Sequence, residues 1–214
     1  MQGIDTFLQN NKNWASKLKT EDPTYFALMA ESQQPELLWI GCSDSRVPAE
    51  IVVGAKPGEM FIHRNIANQV IATDFNCLSV IQYAVNVLKV KHIVVCGHYN
   101  CGGVRAALSK QNSGLLITNK WLMHIKNVYR LYQEKIDAMP TEDLRVNKLV
   151  ELNIVEQVHA LSHTSIIQES WAKHNSPTLH GWVYDLSDGL INTLITINPG
   201  DEIHPIYQYI ADES

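Results

Sequence analysis

The sequence predicts an α/β fold: a mainly parallel central sheet with an added edge strand, flanked by helices and preceded by an N-terminal helical arm. Three observations lead to this fold class. Between residues 37 and 110, short apolar runs typical of strands alternate with helical segments, which is the pattern of a parallel sheet with right-handed crossovers. Residues 1–31 precede the first strand and have mostly helical spacing. Residues 178–197 hold two further apolar runs around an Asp-Gly turn.

The chain length and composition indicate one globular domain. The 214 residues suffice to bury a large core, and 45% hydrophobic with 18% charged residues is ordinary for a globular protein. We expect a single domain over 1–214, made of a helical arm (1–34), an α/β core (35–110), and a segment of helices and edge strands (111–214).

Charge and cysteine content limit the partners and the compartment. The formal net charge of −5 argues against a nucleic acid or an anionic membrane as partner. No apolar segment approaches the roughly 20 residues that a membrane helix needs. Residues 1–20 lack the basic and apolar regions of a secretory signal, and four cysteines do not resemble a disulfide framework. We therefore expect a cytoplasmic protein with reduced thiols.

The N-terminal arm is predicted to be two helices with a break at Glu21-Asp22-Pro23. The apolar residues that mark one side of the first helix are Ile4, Phe7, Leu8, Trp14 and Leu18. Such an arm has little to pack on locally. It packs either on another subunit or on its own sheet, and the sequence favours neither.

The other elements follow in order from apolar runs, helical spacing and caps. In the core they are a strand at 37–40, a helix beginning near Pro48, a strand at 60–64, a helix at 75–88 with Asp74 as N-cap, and a strand at 90–95. Beyond the core they are helices at 119–137 and 142–175 and strands at 178–185 and 190–197. Ligands of open α/β sheets bind at the carboxyl ends of the parallel strands.

Polar side chains follow two of these strands at their carboxyl ends. The strand at 37–40 runs into a loop that offers the thiol of Cys42, the carboxylate of Asp44 and the guanidinium of Arg46. The strand at 90–95 runs into a loop with His98 and Cys101. Two thiolates and one imidazole suit zinc and leave its fourth tetrahedral position open, as in a catalytic site. The alternative for the carboxylate and the guanidinium is an ordinary ion pair.

The two remaining cysteines are not expected to bind the metal. Cys77 lies within a helix beside apolar positions, and Cys96 lies within a valine-rich strand. Both are interpreted as core thiols that behave as small hydrophobic residues.

Three motifs carry a resemblance to a known family. CSDSR at 42–46, HRNIAN at 63–68 and GHYNCGG at 97–103 resemble the signature of the β-class carbonic anhydrases, and the similarity extends from the arm to about residue 190. The resemblance implies a zinc enzyme (Zn²⁺ as cofactor) that interconverts carbon dioxide and bicarbonate through zinc-bound hydroxide. It also implies a zinc-binding core at 35–110.

The resemblance assigns roles to individual residues. It makes Cys42, His98 and Cys101 the zinc ligands, with Asp44 and Arg46 as the acid–base dyad. Positions that line the substrate pocket, some from the neighbouring subunit of a homodimer or tetramer, match Gln33, Phe61, Ile66 and Tyr83. Gly102 and Gly103 lack side chains, so their backbone N–H groups are expected to approach the product anion closely.

A second cluster resembles the bacterial-type subgroup in which bicarbonate binds away from the zinc. Its residues match Trp39, Arg64 and Tyr184. Bicarbonate there, or low pH, is expected to switch the enzyme off by letting Asp44 become the fourth zinc ligand in a closed state. The alternative is that the two aromatic residues belong to the core and that the arginine forms a structural ion pair.

Two other functions remain open at this point. One is a hydrolase of carbon disulfide or carbonyl sulfide, because relatives with the same ligands act on such linear molecules. The other is a non-catalytic bicarbonate sensor whose zinc is permanently capped by Asp44. Measurable hydration of carbon dioxide would exclude the sensor.

Overall fold

The structure, a computed structural model, describes residues 3–209, which form two compact units divided after Gln34. The first unit is the arm, with helices α1 (Ile4–Glu21) and α2 (Tyr25–Glu31). Between them the carboxylate of Asp22 accepts hydrogen bonds from the backbone N–H and the hydroxyl of Thr24, at 2.8 and 2.7 Å. The prediction of two helices with a break between them is confirmed.

The second unit is built on a five-stranded sheet with the order β2-β1-β3-β4-β5. The strands are β1 (Leu37–Cys42), β2 (Met60–Asn65), β3 (His92–His98), β4 (Thr178–Tyr184) and β5 (Ile191–Ile197). The first four are parallel, and β5 pairs with β4 in the antiparallel direction. The predicted mainly parallel sheet with an added edge strand is confirmed.

Eight helices of the described chain belong to the second unit. They are α3 (Ala49–Val53), α4 (Phe75–Asn86), α5 (Gly102–Leu108), α6 (Leu116–Trp121), α7 (Met123–Leu131), α8 (Gln133–Asp137), α9 (Glu142–Ser162) and α10 (Ser165–His174). The predicted cap of α4 is confirmed, because Asp74 Oδ1 accepts from the N–H of Asn76 at 3.1 Å. Among the described residues, no helix is long and apolar enough to cross a membrane.

Two predicted helices are divided in the structure. The segment 119–137 contains parts of three short helices, and the segment 142–175 contains two. The second division falls at Thr164, whose backbone is extended and whose hydroxyl accepts from the N–H of Ile167 at 3.3 Å. A threonine hydroxyl is an effective N-cap, so a new helix begins there.

Helix α9 lies close against one face of the sheet because that face has glycine where the helix crosses it. A Cβ built on Gly181 would lie 2.7 Å from Cγ2 of Ile195 and 3.0 Å from Cγ2 of Ile154 on α9. A Cβ on Gly97 would lie 2.7 Å from Cδ1 of Ile154. The larger of two apolar clusters fills the space between this face and the helices.

The opposite face carries a smaller cluster of buried residues around Trp39. The indole packs edge-to-face on Trp182, with ring centroids 6.2 Å apart. A Cβ on Gly41 would overlap with Nε1 of the Trp39 ring, so glycine is needed there for the indole to lie over the strand. Because Gly41 pairs with Cys96, the loops after β1 and β3 leave the sheet side by side.

Candidate active site

The structure brings together Cys42, His98 and Cys101, the three residues expected to bind a metal. Cys42 and His98 are the last residues of β1 and β3, and Cys101 immediately precedes α5. All three are buried, and their potential ligand atoms lie within 4.8 Å of one another. The two sulfur atoms are 3.9 Å apart. Two sulfurs at about 2.3 Å from a tetrahedral zinc ion would be separated by roughly 3.8 Å, so the pair fits this metal.

The imidazole of His98 is oriented to act as a ligand through Nε2. Its Nδ1 lies 2.9 Å from the carbonyl of Tyr99, which accepts the ring N–H and leaves the Nε2 lone pair free. Nε2 is buried and has no hydrogen-bond partner in the described part of the chain. The nearest charged atom is Oδ2 of Asp44, at 3.5 Å. A buried nitrogen without a partner is costly unless it binds something, and a metal ion would satisfy it.

The two thiols are close enough to form a hydrogen bond with each other, in which either sulfur could be the donor. This interaction lowers the pKa of Cys42 and raises the pKa of Cys101. Burial lowers the pKa of His98, but the nearby charges of Cys42 and Asp44 and the carbonyl of Tyr99 outweigh burial and the net shift is upward. Metal binding would displace the proton between the two sulfurs, since thiolates and a neutral imidazole are the ligand forms.

Backbone N–H groups lower the pKa of both thiols. Those of Ala67 and Asp44 act on Cys42, and those of Gly103 and Val104, at the start of α5, act on Cys101. Such contacts favour the thiolate form because they place partial positive charge beside the sulfur.

Asp44 is held beside the three ligands by Arg46. The guanidinium Nε and Nη2 donate to Oδ1 and Oδ2 at 2.9 and 2.8 Å, and the backbone N–H of Arg46 donates to Oδ1 at 2.9 Å. These hydrogen bonds hold the pKa of Asp44 well below its usual range. The carboxylate is therefore ionised and bonded to Arg46, as expected for an open site.

Arg64 binds the backbone of the same loop. Its Nε and Nη2 donate to the carbonyl of Cys42 at 2.9 and 2.8 Å, and Nη2 also donates to the carbonyl of Asp44 at 2.6 Å. Trp39 and Tyr184 belong to the same small apolar cluster on one sheet face. The resemblance predicts that these three side chains form a bicarbonate site. In the structure, Arg64 contacts the loop that carries Cys42 and Asp44 directly.

The residues expected to line the substrate pocket belong to both units of the structure. Phe61 and Tyr83 pack together with ring centroids 5.8 Å apart. Ile66 lies against α5, since a Cβ on Gly103 would be 2.8 Å from its Cγ2, whereas a Cβ on Gly102 would meet nothing within 4 Å. Gln33 belongs to the arm unit and is exposed there.

The other two cysteines are buried, as expected of core thiols. Burial raises the pKa of Cys77 to about 12 and that of Cys96 still further. Cys77 has His63 and Asp74 within 4.8 Å. The carboxylate of Asp74 caps α4, and the imidazole of His63 contacts the amide of Asn65 at 3.3 Å, so both neighbours already have partners.

Two buried polar residues of α9, close to the loop after β2, were not predicted from the sequence. Asn153 and Gln157 are buried on α9, and Asn153 Nδ2 donates to the carbonyl of Ala67 at 3.2 Å. The available signal was two amide side chains four residues apart on a helix face that is otherwise apolar, between Leu149 and Val158.

Three side chains that could hold a metal ion converge here, and as ligands of a tetrahedral ion they would leave one position for a reactant. Together with the ion pair beside them, at the carboxyl edge of a parallel sheet, they define the class of the protein as a metalloenzyme. A profile of the family described as "Carbonic anhydrase" matches residues 37–191. The chain belongs to this family, in its β-class, and is a carbonic anhydrase, a lyase.

Individual relatives agree with this assignment. The carbonic anhydrase of Emericella nidulans is 48% identical over 100% of this chain and 93% of that protein. The carbonic anhydrase of Candida albicans is 36% identical over 98% of this chain and 73% of that protein. A β-carbonic anhydrase of Coccomyxa, solved with acetazolamide, superposes with a TM-score of 0.86 at 38% identity, covering 92% of this chain and 89% of that one. A structure from a study of two tetrameric β-carbonic anhydrases of Sordaria macrospora superposes with a TM-score of 0.87 at 40% identity. The superposition covers 91% of this chain and 98% of that one.

Proposed function

We propose that this carbonic anhydrase hydrates carbon dioxide to bicarbonate and a proton with a zinc ion held by Cys42, His98 and Cys101. The observation that carries the proposal is the convergence of two sulfurs 3.9 Å apart on an imidazole nitrogen that has no other partner. A zinc ion bound there supplies a Lewis acid that lowers the pKa of coordinated water and so provides the nucleophile.

Asp44 is proposed to orient the attacking water. Its ionised carboxylate lies 3.5 Å from the ligand nitrogen of His98, beside the position where the water would lie. As a hydrogen-bond acceptor it would direct the water lone pair towards carbon dioxide. Arg46 fixes the carboxylate through two parallel hydrogen bonds, which specify its position more sharply than a single contact.

A pocket for a small linear substrate is proposed beside this centre. Phe61, Ile66 and Tyr83 would supply its apolar walls, and Gly102 a free backbone N–H for the product anion. Gln33 would reach the pocket from a neighbouring subunit, in a homodimer or tetramer. Supporting this assembly, the similar Sordaria enzymes are described as tetrameric, and the arm exposes apolar side chains.

Replacing the ligands tests the metal assignment. Cys42→Ser, His98→Ala and Cys101→Ser should each lose zinc and carbon dioxide hydration, measured by metal analysis and stopped-flow assay. Cys77→Ala and Cys96→Ala are the matched controls: each removes a buried thiol and should keep zinc, with some loss of stability from the cavity. Stoichiometric zinc in the Cys101→Ser protein would reject the ligand set.

We further propose that bicarbonate regulates the enzyme from a separate site formed by Trp39, Arg64 and Tyr184. The supporting contact is the guanidinium of Arg64, which binds the carbonyls of Cys42 and Asp44. An anion that draws this guanidinium away would loosen the loop, so that Asp44 could leave Arg46 and occupy the fourth metal position. Low pH would favour the same closed state, because less hydroxide then competes with the carboxylate.

Removing one hydroxyl tests the regulatory site. Tyr184→Phe should weaken inhibition by bicarbonate near neutral pH, because a ligand shifts a conformational equilibrium only through its differential affinity for the two states. Inhibition should already be weak at alkaline pH. The control is Tyr132→Phe, which loses a hydroxyl bonded to Glu156, away from the site. If wild type and Tyr184→Phe give the same inhibition curves while zinc content is equal, Tyr184 has no regulatory role.

A further inference from the structure

The loop after β2 has an unusual backbone conformation next to the metal-binding residues. Ala67 has φ 62° and ψ 33°, and Asn68 has φ 48°. Both lie in the left-handed region, which residues other than glycine rarely adopt because of contact between Cβ and the backbone. Both residues are also buried, at 0% and 2% exposure. Two consecutive left-handed residues persist only if the surroundings hold them.

Two amide side chains of α9 hold this loop on either side of Asn68. Asn153 Nδ2 donates to the carbonyl of Ala67 at 3.2 Å, and Gln157 Oε1 accepts from the N–H of Val70 at 2.7 Å. The two side chains are joined, because Gln157 Nε2 donates to Asn153 Oδ1 at 3.1 Å. Each amide therefore acts as both donor and acceptor, which fixes its orientation.

The Asn153–Gln157 pair is buried on a part of α9 whose other buried residues are mostly apolar. Its neighbours on α9 are buried aliphatic residues, among them Ile154 and Val158. Buried amides cost free energy unless all their hydrogen bonds are made, and here the partners come from the loop. The pair therefore specifies a loop conformation rather than adding apolar contact.

The held conformation has a direct consequence for Cys42. Ala67 lies two residues after Asn65, which pairs with Cys42 across β1 and β2, and its side chain packs in the same buried cluster as Cys42 and Cys101. Its backbone N–H also lowers the pKa of Cys42. If Ala67 left the left-handed region, its peptide groups would rotate and this effect on the thiol would be lost. Outer hydrogen bonds of this kind orient a metal ligand and tune its charge.

We propose that Asn153 and Gln157 are positioning residues for the metal centre: they hold Ala67 in the left-handed conformation that keeps the loop after β2 packed against Cys42. The inference rests on the proposed role of Cys42 as a zinc ligand. Within residues 3–209, the side-chain hydrogen bonds of the pair go to the loop and to each other and not to a proposed metal ligand, so the pair acts through the loop.

Metal affinity measures this role without reference to activity. In Asn153→Ala the zinc dissociation constant, obtained by competition with a chelator, should rise about 10- to 100-fold, the usual effect of removing an outer hydrogen bond of a metal site. In the cobalt-substituted protein, the thiolate-to-cobalt charge-transfer band should shift. Asn153→Leu keeps most of the side-chain volume, so the measurement remains possible if the cavity left by alanine prevents folding.

The matched control is Ser170→Ala on α10. It also removes a buried side-chain hydrogen bond to a backbone carbonyl, that of Ser176, but lies outside the loop. Its zinc affinity and cobalt spectrum should equal those of wild type. An equal loss of affinity in Ser170→Ala and Asn153→Ala would mean that general destabilisation is the cause and would overturn the proposal.

A second substitution to glycine at position 67 distinguishes a positioning role of Asn153 from a general contribution of Asn153 to the stability of the fold. Glycine adopts the left-handed region without a Cβ penalty, so adding Ala67→Gly to Asn153→Ala should recover much of the lost affinity and restore the cobalt band. No recovery, or wild-type affinity in both Asn153 variants, overturns the inference. If those variants bind zinc normally while Cys42→Ser does not, only this inference fails. Zinc retained by Cys42→Ser would overturn the ligand assignment itself.

Discussion

At the scale of single residues, the ion pair of Asp44 and Arg46 matters for orientation and not for stability. The Arg46 side chain is 57% exposed, and ion pairs that solvent reaches contribute little to the free energy of folding. What the pair supplies is geometry: three hydrogen bonds fix a charged carboxylate 3.5 Å from the ligand nitrogen of His98. Without them the same carboxylate could rotate towards the metal position.

Arg46→Ala should therefore abolish most carbon dioxide hydration while the protein keeps its zinc and its fold. The expected loss is on the order of 100-fold or more, because a misplaced catalytic group costs about that much. Stopped-flow assay, metal analysis and circular dichroism measure the three quantities. Lys91→Ala is the control, since it removes another exposed ion pair, with Glu36, at the amino ends of the strands and away from the site. An Arg46→Ala enzyme with wild-type activity would contradict the role of the pair.

The same scale shows what sequence can predict about the site. Cys42, His98 and Cys101 could be grouped beforehand because each lies at or after the carboxyl end of a recognisable strand. Ala67 and Asn153 could not. An alanine gives no sign that it is left-handed, and the contact that holds it so joins positions 86 residues apart. Sequence patterns report local periodicity, and this contact depends on tertiary packing.

At the scale of elements, the position of α9 is determined by the glycines beneath it. Gly97 and Gly181 leave room for Ile154. The boundaries of helices are harder to predict than their existence: the segment 142–175 has continuous helical spacing, yet the hydroxyl of Thr164 starts a new helix inside it. Threonine is also common in helix interiors, so the cap was recognisable only from its hydrogen bond.

Gly181→Ala should destabilise the protein by about 1–3 kcal/mol, the usual cost of overpacking. The added Cβ would lie 2.7 Å from Cγ2 of Ile195, so the sheet or α9 must shift. Urea unfolding measures the loss. In the double variant Gly181→Ala/Ile195→Ala the cost should be smaller than the sum of the two single costs, because the second change removes the atom in conflict. Strict additivity would mean that the clash is relieved elsewhere.

At the scale of the whole molecule, the arm carries the strongest indication of self-association. No residue of α1 or α2 is buried within the described chain, and Phe7 is 59% exposed among other apolar side chains. Contiguous exposed apolar surface marks an interaction site more often than it marks a free surface. The sequence predicted these helices and their apolar side, but two arrangements of the arm fitted it equally well.

Phe7→Glu should shift the protein towards smaller species in sedimentation velocity, because it places a charge on the apolar side of α1. Ser16→Glu introduces the same side chain at an exposed position on the other side of this helix and should leave the assembly unchanged. A wild-type protein that sediments as a fully active monomer would reject the proposed homodimer or tetramer.

The parallel pairing of β1 with β3 has a consequence for the order of events during folding. Cys42 and Cys101 are 59 residues apart in the chain, and the connection from β1 to β3 through α3, β2 and α4 must form before the two thiols can meet. Closing so long a loop costs entropy that a metal ion cannot recover by binding one thiol. The non-local pairing of the strands, which is intrinsically slow, therefore precedes the complete metal centre. The ion arrives at a sheet that already exists, unlike the ion of a small zinc module, whose ligands are close in sequence and whose fold begins with the metal.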